Sequence, residues 1–377
     1  MFDLKVFATA LVVLGAIVFV IPKAFAWRGW DVDAKSIISA SFDDNVTLAK
    51  TNKKKDLVTS ALVGLSLRQE GKRHSLGISG NITQQIFSDN NDFNNTVEDM
   101  AVDFQKELSK HDQLSVINTF RHAQEPRSFE DAFGRTTGRY SYYRNNFDLK
   151  YFKDLTSRLT VMSRYGHELY AISREDISDS ILHRPGVELN FTADSDTVYL
   201  IGYDYQDRTF DSGGKSFIHT VMVGLRRFLT KQLSVEMRGG SSLTESAHNG
   251  HRTTKPSVQV QLNDNINDKT SVSMGYRKEN MPNAFTQDVF DLWQLALNIK
   301  RQIFKRLAFV LTSFYGEGEF HSLQIHERLN GVSGRFNYEA RENLQIFLEY
   351  SHARADSNDD AREYNRNLVS LGVTFNF

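Results

Sequence analysis

The chain has no cysteine. That excludes a disulfide scaffold, a thiolate metal site, a cysteine nucleophile and a lipidated N-terminal cysteine. Proline is scarce at five in 377 residues. The four beyond the N-terminal segment (Pro126, Pro185, Pro256, Pro282) fall in expected loops or at strand starts, where a hydrogen-bonded ladder tolerates them. After residue 22 no apolar run approaches the roughly 20 residues of a membrane helix, which excludes a multi-spanning helical protein. An excess of one charge is missing too: 45 basic and 46 acidic residues leave −1. Nucleic-acid binding driven by bulk charge is therefore excluded, and no nucleic-acid partner is expected. Aromatic residues, by contrast, are plentiful at 12%.

The first 26 residues read as a targeting segment. One Lys in Met1–Lys5 precedes an apolar run from Val6 to Ile21, and Ala24-Phe25-Ala26 forms a small-x-small cleavage signature. The expectation is a signal peptide at 1–26, cleaved after Ala26, and one exported domain at 27–377; an uncleaved anchor is the alternative.

Beyond it the hydrophobic period is two. Leu57, Thr59, Ala61, Val63, Leu65 and Leu67 share one face, and Val58, Ser60, Leu62, Gly64, Ser66 and Arg68 the other. The same alternation recurs at Leu76–Thr83, Met100–Gln105, Asn146–Tyr151, Val187–Phe191, Leu233–Arg238, Ser257–Leu262 and Val369–Phe377. One apolar face opposite a face of hydroxyls, amides, glycine and charge is the strand signal. Upward strands starting near Leu76, Leu114, Leu159, Tyr199, Leu233, Val272, Leu307 and Leu344 recur every 34 to 45 residues. Each follows a short turn, and its hairpin is closed by a longer polar loop such as Gln124–Gly138 or Ala353–Arg362. Short turns on one side and long loops on the other predict a transmembrane antiparallel up-and-down β-barrel of 18 strands, with 16 as the alternative count. Strands of about 12 residues, tilted near 45°, would project to about 28 Å, enough to span the hydrocarbon layer. A propeller would need four short strands per repeat where two long ones occur.

Two features predict that the apolar face looks at lipid rather than into a soluble core. Aromatics gather at strand ends in two belts, Tyr142, Tyr143, Tyr165, Tyr170, Tyr203, Tyr205, Tyr276, Trp293, Tyr315 and Tyr350 on the loop side, and Tyr151, Phe152, Phe228, Phe304 and Tyr338 on the turn side. The chain also ends in Phe377 on an apolar-alternating strand, similar to the C-terminal signal read by the barrel assembly machinery of bacterial outer membranes.

The order Phe42-Asp43-Asp44-Asn45-Val46, Thr51-Asn52-Lys53, Asp56-Leu57-Val58-Thr59 and Gly64-Leu65-Ser66-Leu67 resembles the opening hairpin of the family described as putative β-barrel porin 2, with Val63 where that family often has Pro. The resemblance covers about 30 residues. It implies a porin-like protein of a Gram-negative outer membrane, often encoded beside exopolysaccharide or capsule genes, and supplies no catalytic residues or cofactor.

At 16 to 18 strands the interior is wide enough for an aqueous channel. The alternation points Arg68, Lys150, Arg158, Arg164, Arg226, Arg238, Arg277, Lys300 and Arg335 inward, against Asp103, Asp148, Glu188, Asp204, Glu236 and Glu349. An unpaired basic excess would favour anionic solutes, an acidic polysaccharide among them, and export components would then be partners; cross-lumen pairing would make the same residues a scaffold. Lys53-Lys54-Lys55 could touch lipopolysaccharide, and outer-membrane lipid is the surrounding partner. Neither His248-Asn249-Gly250-His251 nor Asp43-Asp44 carries a full metal-ligand set, so no metal or cofactor is expected. A structural or adhesion barrel is the first alternative function, favoured if loops plug the lumen. An outer-membrane hydrolase is the second. His167, His219, His321, His326 and His352 lie near the loop side, no nucleophile signature surrounds any Ser, and a lipid-facing His–Ser–acid trio would favour it.

Overall fold

The computed structural model describes residues 29–246, 252–320 and 322–377. The segment read as a signal peptide, the His248–His251 stretch and His321 lie outside the described residues. The described chain is almost entirely strand: β1 (Asp31–Asp43), β2 (Asp56–Glu70), β3 (His74–Phe87), β4 (Asn95–Glu107), β5 (Asp112–Ala123), β6 (Tyr142–Asp154), β7 (Leu159–Ile172), β8 (Ser180–Thr192) and β9 (Thr197–Phe210). They continue as β10 (Lys215–Phe228), β11 (Leu233–Ser246), β12 (Arg252–Asn267), β13 (Thr270–Pro282), β14 (Val289–Phe304), β15 (Leu307–Phe320), β16 (Ile325–Arg341), β17 (Leu344–Ser357) and β18 (Tyr364–Asn376). Every predicted upward strand starts within two residues of its expected place.

Consecutive strands pair antiparallel, and β1 pairs with both β2 and β18, so the 18 strands close into a barrel. Turns on one side have two to four residues and loops on the other four to eighteen. Closure leaves no edge, the condition for a sheet in hydrocarbon, where water cannot satisfy an unpaired N–H or C=O.

The apolar set faces outward. Ile82 (53%), Met100 (52%), Val223 (57%) and Leu371 (57%) are among the most exposed residues. In a two-sheet sandwich they would form the core. Tyr143, Tyr199, Tyr203, Tyr338 and Tyr350 are exposed with them, the rings of the two interfacial belts. Tyr142 and Tyr170 correct the belt assignment. Both point inward and are buried, stacked with centroids 5.4 Å apart. Alternation dictates this, since Tyr142 and Tyr143 are adjacent and cannot share a face.

The Asp43-Asp44-Asn45 motif closes the seam at the loop end. Asp43, fully buried, accepts from Arg366 Nε at 3.0 Å and from the Asn45 N–H at 2.9 Å. Asp44 accepts from the Asn367 N–H at 2.7 Å and its Nδ2 at 2.6 Å, and Asn45 Nδ2 donates to the Asn365 carbonyl at 3.0 Å. The two aspartates are thus occupied by β18 rather than set out for calcium. Removing Arg366 would leave Asp43 buried without its counter-charge. R366A should therefore lower the stability of the folded barrel by about 3 kcal/mol, read as a lower temperature for the loss of the compact band in unheated gel electrophoresis.

Candidate functional site

An up-and-down barrel of 18 strands, spaced about 4.8 Å and tilted about 40°, has a backbone diameter of about 36 Å. Side chains alone cannot fill such a lumen. The longest loop, residues 124–141 between β5 and β6, folds into it and carries the short helix α1 (Phe129–Ala132), capped by Ser128 Oγ accepting from the Asp131 N–H at 3.1 Å. The loop crosses to the opposite wall, nine strands from its origin. Glu130 accepts from Arg277 Nη2 of β13 at 2.5 Å and from Gln294 Nε2 of β14 at 2.8 Å. Phe133 packs edge-on against Phe290 and Phe314, centroids 4.9 and 5.6 Å away. Glycines receive it: a Cβ on Gly316 would stand inside the Phe133 ring and one on Gly331 inside Phe129. Asp131 ties the near side to Arg144 at 3.2 Å.

The loop's return is fixed by buried polar groups. The Gly134 N–H donates to Glu327 Oε1 at 2.9 Å, and Arg362 Nη1 donates to Oε2 of the same carboxylate at 3.2 Å. Arg135 lies between the rings of Tyr140 and Tyr142, 4.4 and 4.5 Å from their centroids, and donates to the Tyr140 hydroxyl at 2.7 Å. Arg139 stacks on Phe87, donates to the Val46 carbonyl at 2.6 Å and pairs with Glu125, which also accepts from Arg366 Nη1 at 2.8 Å. The constriction loop and the closure clasp are thereby one network. Burial, with the Arg366 charge second, pulls the Arg139 guanidinium down to about 10, so it remains cationic at neutral pH. Burial pushes the Tyr140 hydroxyl up.

Two of the cavities in the lumen differ in chemistry. One, of about 540 Å³, is walled by β1–β3, β14–β18 and the loop itself and presents Ser41, Ser60, Thr312, Ser333 and Ser351. The other, of about 390 Å³, is walled by β6–β13 and presents Lys150, Arg164, Arg184, Asp148, Asp204 and Glu279.

Most of the expected lumen cations are ion-paired. Arg164 Nε donates to Asp204 at 2.7 Å, Arg226 Nε to Glu236 at 2.6 Å and Arg335 Nη1 to Glu349 at 3.5 Å. Arg238 bridges Glu236 and Glu188, and Arg277 contacts Glu279 at 2.9 Å besides Glu130. Arg68 pairs with exposed Glu70 at the turn end, where Lys300 is also exposed. Arg158 is a correction: it lies in the turn between β6 and β7, residues 155–158, and not on a strand wall. Lys150 faces Arg164 across the β6–β7 ladder. Further pairs absent from the expected set complete the wall, Arg121 with Asp99 and the buried Arg144–Glu168–Arg208 chain. Each lies on an inward position of neighbouring strands, so the alternation that identified the others would have found them. In the first loop Lys53 donates to the Asn365 carbonyl at 3.2 Å and Lys54 lies over Phe93. Among the described residues no group of carboxylates and imidazoles is placed to hold a metal.

Truncating Phe133 empties the loop's main apolar anchor, worth about 3 kcal/mol. F133A should expose Arg127, Arg135 and Arg139 to trypsin and speed cleavage of the loop about a hundredfold over the wild-type barrel.

Residues 290–377, the five strands β14–β18, match the model of the family described as "Putative beta-barrel porin 2". The match supplies the Arg366 and Asn367 partners of the Asp43-Asp44-Asn45 motif but not the motif itself. No curated protein matches. Among solved structures the chain is similar to OpdK of Pseudomonas aeruginosa with vanillate (10% identity, 92% of this chain and 98% of that one, TM-score 0.48). It is similar to OccK2 (OpdF) of the same organism at 10% identity, 92% and 97% coverage and TM-score 0.49. It is similar to OccAB4 of Acinetobacter baumannii at 8% identity, 92% and 98% coverage and TM-score 0.48. The chain is a closed 18-stranded antiparallel β-barrel whose last five strands carry the sequence pattern of the "Putative beta-barrel porin 2" family.

Proposed function

We propose that the protein is a constricted channel for small polar solutes, in which the 124–141 loop sets the aperture. The observation that carries this reading is the polar space left in the lumen beside a loop tethered to both walls. A sealed structural barrel would gain nothing from keeping these spaces lined with hydroxyls and charges, since buried polar groups cost free energy unless each finds a partner. Passage of an anionic polymer, the finer reading, requires the loop to leave the lumen. It is supported by Lys150, Arg184 and Arg277 around the smaller cavity. Their neighbours Asp148, Asp204 and Glu279 reduce that preference, because paired charges leave little net field for a passing ion.

Planar-bilayer recording tests the proposal. The wild-type barrel should show discrete steps with a cation-to-anion permeability ratio within about threefold of unity, as paired wall charges predict. Replacing 127–138 with a short flexible linker should enlarge the steps. Steps only in the shortened variant would favour the structural barrel, and steps in neither would remove the channel.

A further inference from the structure

Beyond the channel, the outer wall carries a group the lumen does not use. On the loop side of β4 and β5, three side chains converge on the lipid-facing surface: Glu98, His122 and Ser141. His122 Nε2 lies 2.7 Å from Ser141 Oγ, and Nδ1 of the same ring lies 3.7 Å from a Glu98 carboxylate oxygen. Register places them there: Glu98 is the cross-strand partner of His122, His122 that of Tyr143, and Ser141 immediately precedes β6. We infer that this trio is an esterase site acting on acyl esters of amphiphiles lying in the outer leaflet.

The chemistry follows from the two ring nitrogens. Glu98 beside Nδ1 favours the tautomer protonated there, which leaves Nε2 to accept the Ser141 hydroxyl proton. A separation of 3.7 Å is a charge contact rather than a hydrogen bond, and sites without substrate are commonly looser than their reacting form. In the forward step Ser141 Oγ bonds to the ester carbonyl carbon and His122 takes its proton. The C–O bond to the alcohol breaks, His122 protonates the departing alkoxide, and Ser141 holds the acyl group. Water then attacks that acyl carbon, giving its proton to His122. Ser141 leaves with that proton and a fatty acid is released. No oxidant, metal or co-reactant is needed.

The surroundings hold these groups in place. Tyr143 stacks parallel on the imidazole, 4.3 Å between centroids and 5° between planes. The Ser141 carbonyl accepts from both the N–H and the hydroxyl of Ser173 at 2.9 Å, which pins the segment carrying the nucleophile. Beneath lie exposed Met100 and half-buried Phe120, the latter 6.2 Å from Tyr143, an apolar path for an acyl chain whose ester sits at the aromatic belt. Other lipid-facing imidazoles lack this combination among the described residues. His183 and His219 contact tyrosine hydroxyls, and His352 contacts an amide.

The test is labelling of the full refolded barrel in detergent micelles with a fluorescent fluorophosphonate, alongside hydrolysis of p-nitrophenyl laurate. Wild-type protein should be labelled at Ser141 and should release p-nitrophenol. S141A should lose both, and H122N should slow both by about a hundredfold or more. E98Q should slow both less than H122N, and S141A should keep the wild-type heat-shifted gel band. Absence of labelling and hydrolysis in wild-type protein that shows the folded band would overturn the site, and so would equal labelling of S141A. Either result would leave the channel reading untouched.

Discussion

The structure depends on one hydrogen-bond ladder, that between the first strand and the last. In hydrocarbon no solvent is available for an orphaned amide, so a sheet crossing a membrane has to end on itself. The pairing from Lys35 with Asn376 to Asp43 with Leu368 accomplishes that closure. The buried Asp43–Arg366 pair marks its loop end. It is an electrostatic contact between two residues 323 positions apart, which only a completed barrel can make. The even strand number and the sorting of turns and loops to opposite rims are consequences of that constraint.

Closure creates a second problem, a lumen far wider than a selective pore. The 124–141 loop resolves it with one apolar anchor and a set of buried charge contacts. Phe133 fits against glycine-lined wall, while Glu130, Asp131, Gly134 and Arg139 bond to five different strands or loops. Removing one partner of such a contact is costly because it strands the other in a dry place. The loop is therefore held as a unit, and through Glu125 and Arg366 its position is linked to closure of the wall.

Much of the barrel was legible from the sequence because the pleat has a period of two and a membrane makes that period visible. Leu76, Leu159, Leu233 and Leu344 each stand at or within two residues of a strand start for that reason. The outward assignment of Tyr142 and Tyr170 went wrong where aromatic richness was read without the alternation that puts Tyr142 opposite to Tyr143. The inward lumen cations followed from alternation too, apart from Arg158 in its turn. Their pairing did not, since whether Arg164 finds Asp204 depends on the register of β7 through β9. Nothing local announces that Glu130 meets Arg277, 147 residues away. The same holds for Glu98 of β4, His122 of β5 and Ser141 just before β6, with no nucleophile motif around the serine.

Orientation of the wall is the central claim, and the lack of native cysteine makes it directly measurable. Single cysteines would be placed along β3 at Ile78, Ser79, Gly80, Asn81, Ile82 and Thr83, in protein reconstituted into vesicles, and treated with a charged, membrane-impermeant maleimide. The account predicts labelling at 79, 81 and 83 through the aqueous lumen, with protection at 78, 80 and 82, where only a lipid-soluble reagent should react. Uniform labelling, or the opposite alternation, would contradict it.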